Sequence, residues 1–246
     1  MLGLLTFLTA CSLGAVNEGQ HSSVTPILPV GSSASSFSSE AKITSSEGPL
    51  ENADMDPAPT EQEKTTAEST FPERIVDNGL IEIGKADASV TLLMFTNHSC
   101  HYCSEFALSA FPRVQREYID TGKIKYQIGI LPLEKYPQAA LQARSLLCAV
   151  KQGKGLAMHQ LLFSISNSTE ANMKAGAKAL QLDEATFQAC LADPAIDHLI
   201  QGQSDVAKKF DVALVPTFLL NDTKYVGLYE YSDLKVHIEE ALKKAR

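Results

Sequence analysis

The sequence predicts an α/β domain carried behind a long polar N-terminal segment, and three observations support this. An almost purely apolar run at Val90 to Thr96 and an alternating one at Lys123 to Leu131 flank a segment of helical periodicity, the pattern of a strand–helix–strand unit with parallel strands. From about residue 137 to 209 the periodicity is helical through five successive segments. Beyond Thr217 it returns to two short strands and one closing helix. At 246 residues and 44% hydrophobic content the chain can bury one substantial core, and its apolar residues concentrate after about residue 75.

Charge is distributed just as unevenly. Ten of the 29 Asp and Glu but only three of the 21 Lys and Arg fall in residues 12–74, which therefore carry −7 of the formal net charge of −8. The remainder is close to neutral and has no Lys/Arg-rich run, which argues against nucleic acid as a partner. Residues 12–74 are rich in Ser, Thr, Pro, Glu and Gly, a composition that buries too little apolar surface to offset its ordering entropy. A disordered, self-repelling tether is expected there. Before it, Met1 to Leu8 is apolar and Leu8-Thr9-Ala10-Cys11 places small residues ahead of a cysteine, which resembles a bacterial lipobox. That resemblance implies that residues 1–11 form a lipoprotein-type signal peptide with its lipobox cysteine. Cys11 would be lipidated and would anchor the chain to a membrane outside the cytoplasm. No Lys or Arg precedes Lys42, so the charged start of an export signal is missing, and an ordinary apolar N-terminus is the alternative. The run is too short to span a bilayer as a helix, which takes about 20 apolar residues.

The folded part, residues 75–246, reads as follows. Gly79 to Gly84 is a short strand, and Val90 to Thr96, nearly free of polar interruption, suits a central strand covered on both faces. Cys100 to Asp120 is a helix, which Pro112 is expected to kink by removing one i to i−4 hydrogen bond. The strand Lys123 to Leu131 completes the crossover. The inserted helices are expected at Gln138 to Lys151, Leu156 to Ser164, Thr169 to Leu180, Asp183 to Ala192 and Ala195 to Phe210. Gly153, Asn167-Ser168 and Asp193-Pro194 break them, forming a helical subdomain over about 137–209. Thr217 to Asn221 and Lys224 to Leu228 form a hairpin about Asn221-Asp222. The last helix, Ser232 to Lys244, is expected to start on a Ser-Asp cap and end in two lysines, as its dipole prefers.

The stretch that carries chemistry is Asn97-His-Ser-Cys100-His-Tyr-Cys103. A strand delivers two cysteines, two residues apart, to a helix N-terminus, where unpaired N–H groups and the positive end of the dipole favour a thiolate. Such a dithiol is suited to thiol–disulfide exchange. Cys100 is expected to be the exposed nucleophile and Cys103, one turn further in, its buried partner. Cys100, Cys103, His98 and His101 are also conceivable metal ligands, but four ligands within six residues would strain a tetrahedral site. Haem attachment needs His directly after the second cysteine, where Ser104 stands. Glu105 reads as a solvated charge favoured by the dipole, and His159 as a surface or core-edge histidine. Val90 to Thr96 holds no acid to assist proton transfer.

Joined to Val215-Pro216-Thr217-Phe218 ahead of the hairpin, the order of elements resembles the thioredoxin fold with a DsbA-type helical insertion, over residues 75–246. The resemblance implies that Pro216 is cis and that Val215, Pro216 and Thr217 form a loop beside the dithiol, leaving backbone groups free to pair with an extended substrate. It places His101 and Tyr102 at the positions that tune redox potential. It further implies a dithiol oxidase of exported proteins, reduced substrate proteins as one partner, a quinone-linked membrane protein as the reoxidising partner, and no cofactor. Val215 before the proline resembles the oxidases of this group more than the isomerases. Isomerase or reductase action on the same fold, and a non-catalytic thiol- or metal-binding module, are the alternatives. Cys148 and Cys190, on two helices of the insert, either form a second disulfide, as in some relatives, or pack as buried reduced thiols.

Overall fold

In the computed structural model the described residues are 71–227 and 230–245. The expectations for the export segment, Cys11 and the tether up to residue 70 lie outside them. Six strands form one sheet: β1 (Arg74–Ile75), β2 (Ile81–Gly84), β3 (Val90–Thr96), β4 (Ile124–Ile130), β5 (Thr217–Leu220) and β6 (Thr223–Val226), in the order β1-β2-β4-β3-β5-β6. Only β3 and β4 run parallel; every other neighbouring pair is antiparallel. β3 has partners on both edges, and all of its residues except Thr91 are buried, in keeping with its unbroken apolar sequence.

Side-chain alternation along β3 divides the core. Leu92 and Met94 face one cluster with Phe106, Phe111, Val114, Leu234 and Ile238, whereas Leu93 and Phe95 face a second with Leu80, Ala207 and Leu219. Gly129 on β4 makes room for the second cluster, because a Cβ there would sit 2.5 Å from the Phe95 ring. Residues 101–119 form α1, which carries Phe106, Phe111 and Tyr118 of the first cluster. It is not simply kinked at Pro112. Two α-helical pieces (His101–Glu105 and Phe111–Val114) alternate with two π-helical ones (Phe106–Ala110 and Gln115–Ile119). Pro112 falls at the start of the second α-helical piece, with the wider π turns on either side of it.

The insert contains α2 (Ala139–Val150), α3 (Gly155–Ser164), α4 (Glu170–Ala179), α5 (Glu184–Ala192) and α6 (Ala195–Lys209). Its starts follow side-chain chemistry: Thr169 caps α4 through the Asn172 N–H and Asp183 caps α5 through the Thr186 N–H. A disulfide joins Cys148 on α2 to Cys190 on α5, with Cα atoms 5.8 Å apart. Arg144 reinforces that junction by donating to the carbonyls of Leu191 and Asp193 at 2.8 and 2.7 Å. Gln203 on α6 is wholly buried and satisfies two strand ends, donating to Gly79 O at 2.6 Å and accepting from Ile130 N at 2.5 Å.

Two expectations are corrected. The tether was expected to run through residue 74, but Arg74 pairs with Glu82 across β1 and β2, and the Glu73 carboxylate accepts the first N–H groups of α3, from Gly155 and from Leu156 at 2.7 Å. The last helix, α7 (Tyr231–Lys244), is capped at Glu230 without a side-chain bond rather than on Ser232-Asp233. Tyr231 sets that start: it is buried, its hydroxyl bonds Glu117, and the Arg113 guanidinium lies 4.0 Å from its ring centroid, so its turn is drawn into the helix.

Candidate active site: a dithiol at a helix N-terminus

Cys100 is the N-cap of α1, with φ −94° and ψ 122°, and its Sγ accepts the Cys103 N–H at 3.3 Å. The extended conformation at residue 100 comes from the turn before it. Asn97 donates through Nδ2 to Leu131 O at 2.7 Å and accepts the Ser99 N–H at 2.8 Å, while its own carbonyl accepts the Cys100 N–H at 3.0 Å. Cys100 is half-buried and Cys103 fully buried, both as free thiols. Facing them is the Val215–Pro216 peptide bond, which is cis, and the Cys100 thiol donates to the Val215 carbonyl at 3.6 Å. Thr217 closes that loop by donating to Leu214 O at 2.6 Å. The two motifs, separated by more than a hundred residues in sequence, meet at the end of β3.

The electrostatics split the two thiols. Cys100 is lowered to about 6, chiefly because its sulfur accepts a hydrogen bond from the Cys103 thiol; burial works against this, and the backbone N–H groups of Cys103 and Tyr102 and the charge of Lys135 add to it. Cys103 is pushed upward, first by that same bond to Cys100 and then by burial, which the Thr96 hydroxyl and the Asn97 backbone do not offset. A thiolate is thus held at the accessible sulfur and a proton at the inaccessible one.

The residues flanking the dithiol differ from expectation. The His101 ring is exposed and lies 3.1 Å from Glu105, so Glu105 is partnered rather than merely solvated. A cation that acts on Cys100 is Lys135, in the loop between β4 and α2, and nothing local in the sequence marks it. Tyr102 is 53% exposed beside the His101 ring, 5.4 Å away between centroids. His159 is not at the surface: it is buried, and its Nδ1 lies 2.9 Å from Nε2 of His98. His98 therefore points into the insert while His101 points outward, and the two rings do not converge with the cysteines on one point.

The thioredoxin family profile matches residues 77–240. Disulfide bond formation protein D of Bacillus subtilis is 24% identical over 169 residues, covering 65% of this chain and 76% of that protein. The crystal structure of BdbD from Bacillus subtilis superposes with a TM-score of 0.61 at 22% identity, over 72% of this chain and all of that one. Wolbachia pipientis α-DsbA1 superposes at 0.60 with 23% identity, over 67% and 91% of the two chains. The chain belongs to the thioredoxin family, with the helical insertion of DsbA-like members, and is a thiol–disulfide oxidoreductase.

Exchange follows from the two sulfurs. With Cys100 and Cys103 joined, the geometry would let an incoming thiolate attack Cys100 Sγ, so that the Cys100–Cys103 bond breaks and Cys103 leaves carrying the electron pair. A second thiolate then attacks the incoming partner's sulfur in the mixed disulfide and expels Cys100 as a thiolate. Two electrons reside in the dithiol, and the partner has gained one disulfide. The low proton affinity of Cys100 makes it the better leaving group in the second step, and burial of Cys103 keeps attack on Cys100.

Proposed function

We propose that this protein is an extracytoplasmic dithiol oxidase that introduces disulfides into exported proteins through Cys100 and Cys103. The observation that carries this reading is the Cys100 site itself: a thiolate bonded at a helix N-cap, which stabilises the dithiol form and makes the disulfide the stronger oxidant. The Val215–Pro216 loop supports it, because it lies against Cys100, where an extended segment of an incompletely folded protein would be received. The names of the relatives, a disulfide bond formation protein and a DsbA, agree with that direction of electron flow. The matching sites on this chain are Cys100 and Cys103 for catalysis, His101 and Tyr102 for tuning, and Val215, Pro216 and Thr217 for substrate contact.

In the same reading Cys11 carries a lipid anchor, residues 12 to about 70 act mainly as a spacer, and a quinone-linked membrane protein reoxidises the dithiol. Among the described residues no helix is long and apolar enough to cross a membrane. The deciding measurement is the equilibrium of the Cys100–Cys103 couple with glutathione, alongside mixing of the oxidised protein with a reduced multi-cysteine substrate. Rapid stoichiometric oxidation supports the oxidase. Activity confined to scrambled substrates, or a potential near that of thioredoxin, replaces it with an isomerase or reductase, and no turnover in either assay leaves a binding module.

A further inference from the structure

The side chains of the two residues directly before Cys100 are held from the insert. His98 Nε2 lies 2.9 Å from Nδ1 of His159 on α3, both rings are buried, and the Phe163 ring packs on each, at 4.7 Å from His98 and 5.0 Å from His159 between centroids. Ser99 Oγ accepts from Gln138 Nε2 at 3.0 Å and donates to Gln142 Oε1 at 3.4 Å. Gln142 in turn donates to Ser168 Oγ at 2.8 Å, so the second tie is anchored beyond α2.

Burial pushes both imidazoles well below their ordinary range, His159 to about 3, so both are neutral at neutral pH. One ring donates and the other accepts, which locks the tautomers. His98 Nδ1 has no hydrogen-bond partner among the described residues, so the pair carries the desolvation of a bare ring nitrogen. A phenylalanine at position 98 would meet the same apolar neighbour without that penalty. What a hydrogen-bonded pair adds is direction, since it fixes one ring orientation and hence one path for the backbone leading to Cys100.

We propose that His98 and Ser99 are positioning residues through which the helical insert sets the placement of the Cys100 sulfur, and with it the reactivity of the dithiol. The inference rests on the oxidoreductase reading of the site but not on the direction of electron flow. Release of either tie lets residues 98–99 drift, lengthening the contact between Cys100 Sγ and the Cys103 N–H. That weakens the charge-assisted hydrogen bonds on which the thiolate depends.

The test is the thiolate absorbance of the reduced full chain titrated with pH, together with its glutathione equilibrium. The variants are His98→Phe, His159→Phe, the double variant, His98→Gln as the conservative replacement, and Gln142→Leu on the second tie. Each single apolar variant is expected to raise the Cys100 midpoint by about one unit and to make the disulfide a weaker oxidant, by up to about tenfold in the equilibrium constant. The double histidine variant should move no further than either single, and His98→Gln should recover most of the shift. Folded variants whose melting temperature falls while the midpoint and the equilibrium stay put overturn the proposal, as does an additive double variant. Should the phenylalanine variants not fold, Gln142→Leu and His98→Gln decide alone: an unmoved midpoint in the first, or a shift as large as one unit in the second, overturns it. No substrate enters these readouts, so failure to oxidise a substrate protein counts against the proposed oxidase function and leaves this inference standing.

Discussion

At the residue scale, the two cysteines are chemically opposite although three positions apart. Cys100→Ala should abolish exchange, whereas in Cys103→Ala the lone Cys100 thiolate should attack a disulfide-bonded protein, release one of its sulfurs as a thiolate and stall as a mixed disulfide, visible on a non-reducing gel. Alkylation of the reduced protein should titrate with a midpoint of about 6, and Lys135→Glu should raise it by removing a favourable charge and adding an opposing one. The same shift governs stability. Because folding lowers Cys100, the unfolded chain holds more protons between about pH 6 and 9, so the reduced form gains stability as pH rises through that window. The gain is lost as pH falls through the folded value. Above the ordinary thiol range Cys103 works in the opposite direction, since its raised value takes stability away there. Denaturant midpoints of the reduced protein should therefore rise from pH 5 to about 8 relative to those of the oxidised protein, which lacks both thiols. A difference independent of pH would remove the thiolate argument.

At the element scale, the site depends on where a strand ends and a helix begins. β3 delivers Asn97 to the edge of the sheet, and Asn97 turns the chain so that Cys100 caps α1 instead of extending it. α1 then has to carry Pro112 and still present an apolar face, which its alternating α and π turns achieve. α3 has a different problem, because its cap position is Lys154, whose side chain does not cap it. Glu73 supplies the acceptors from across the fold. Glu73→Ala should lower stability by about 1 kcal/mol in equilibrium unfolding, with the loss concentrated in amide protection of the first turn of α3. An unchanged midpoint would show that solvent satisfies those N–H groups equally well.

At the scale of the whole molecule, a sheet provides the redox strand and an inserted helical layer provides its surroundings. The Cys148–Cys190 disulfide staples that layer across 42 residues. By loop-closure entropy its removal in a Cys148→Ala/Cys190→Ala variant should cost about 4 kcal/mol, read by denaturant melts, while stoichiometric oxidation of a substrate by Cys100 and Cys103 continues. Thiol counting on the oxidised, denatured chain distinguishes this bond from two buried reduced cysteines, because alkylation of Cys148 and Cys190 under those conditions would contradict it.

Much of this was legible in the sequence, for reasons that are local. The apolar run of β3 sets its own ends. Thr169 and Asp183 cap the helices that follow them, and the spacing of Cys100 and Cys103 requires one turn of helix between them. These are properties of neighbouring residues, so periodicity and capping chemistry reveal them. The loop at Val215–Pro216 was read through a resemblance, since no local signal says what it faces. Three features were decided only by the tertiary structure. Lys135 matters because its charge acts on Cys100 from another loop. His159 matters because packing of the insert brings it, 61 positions away in sequence, against His98. Glu73 matters because β1 passes the start of α3. Each is a polar group whose partner lies on another element, and the chain's local sequence carries no record of which elements will touch. The sequence alone determined that a dithiol stands at a helix N-terminus; the tertiary structure decided which charge, which loop and which buried imidazole surround it, because those contacts exist only once the insert has packed against the sheet.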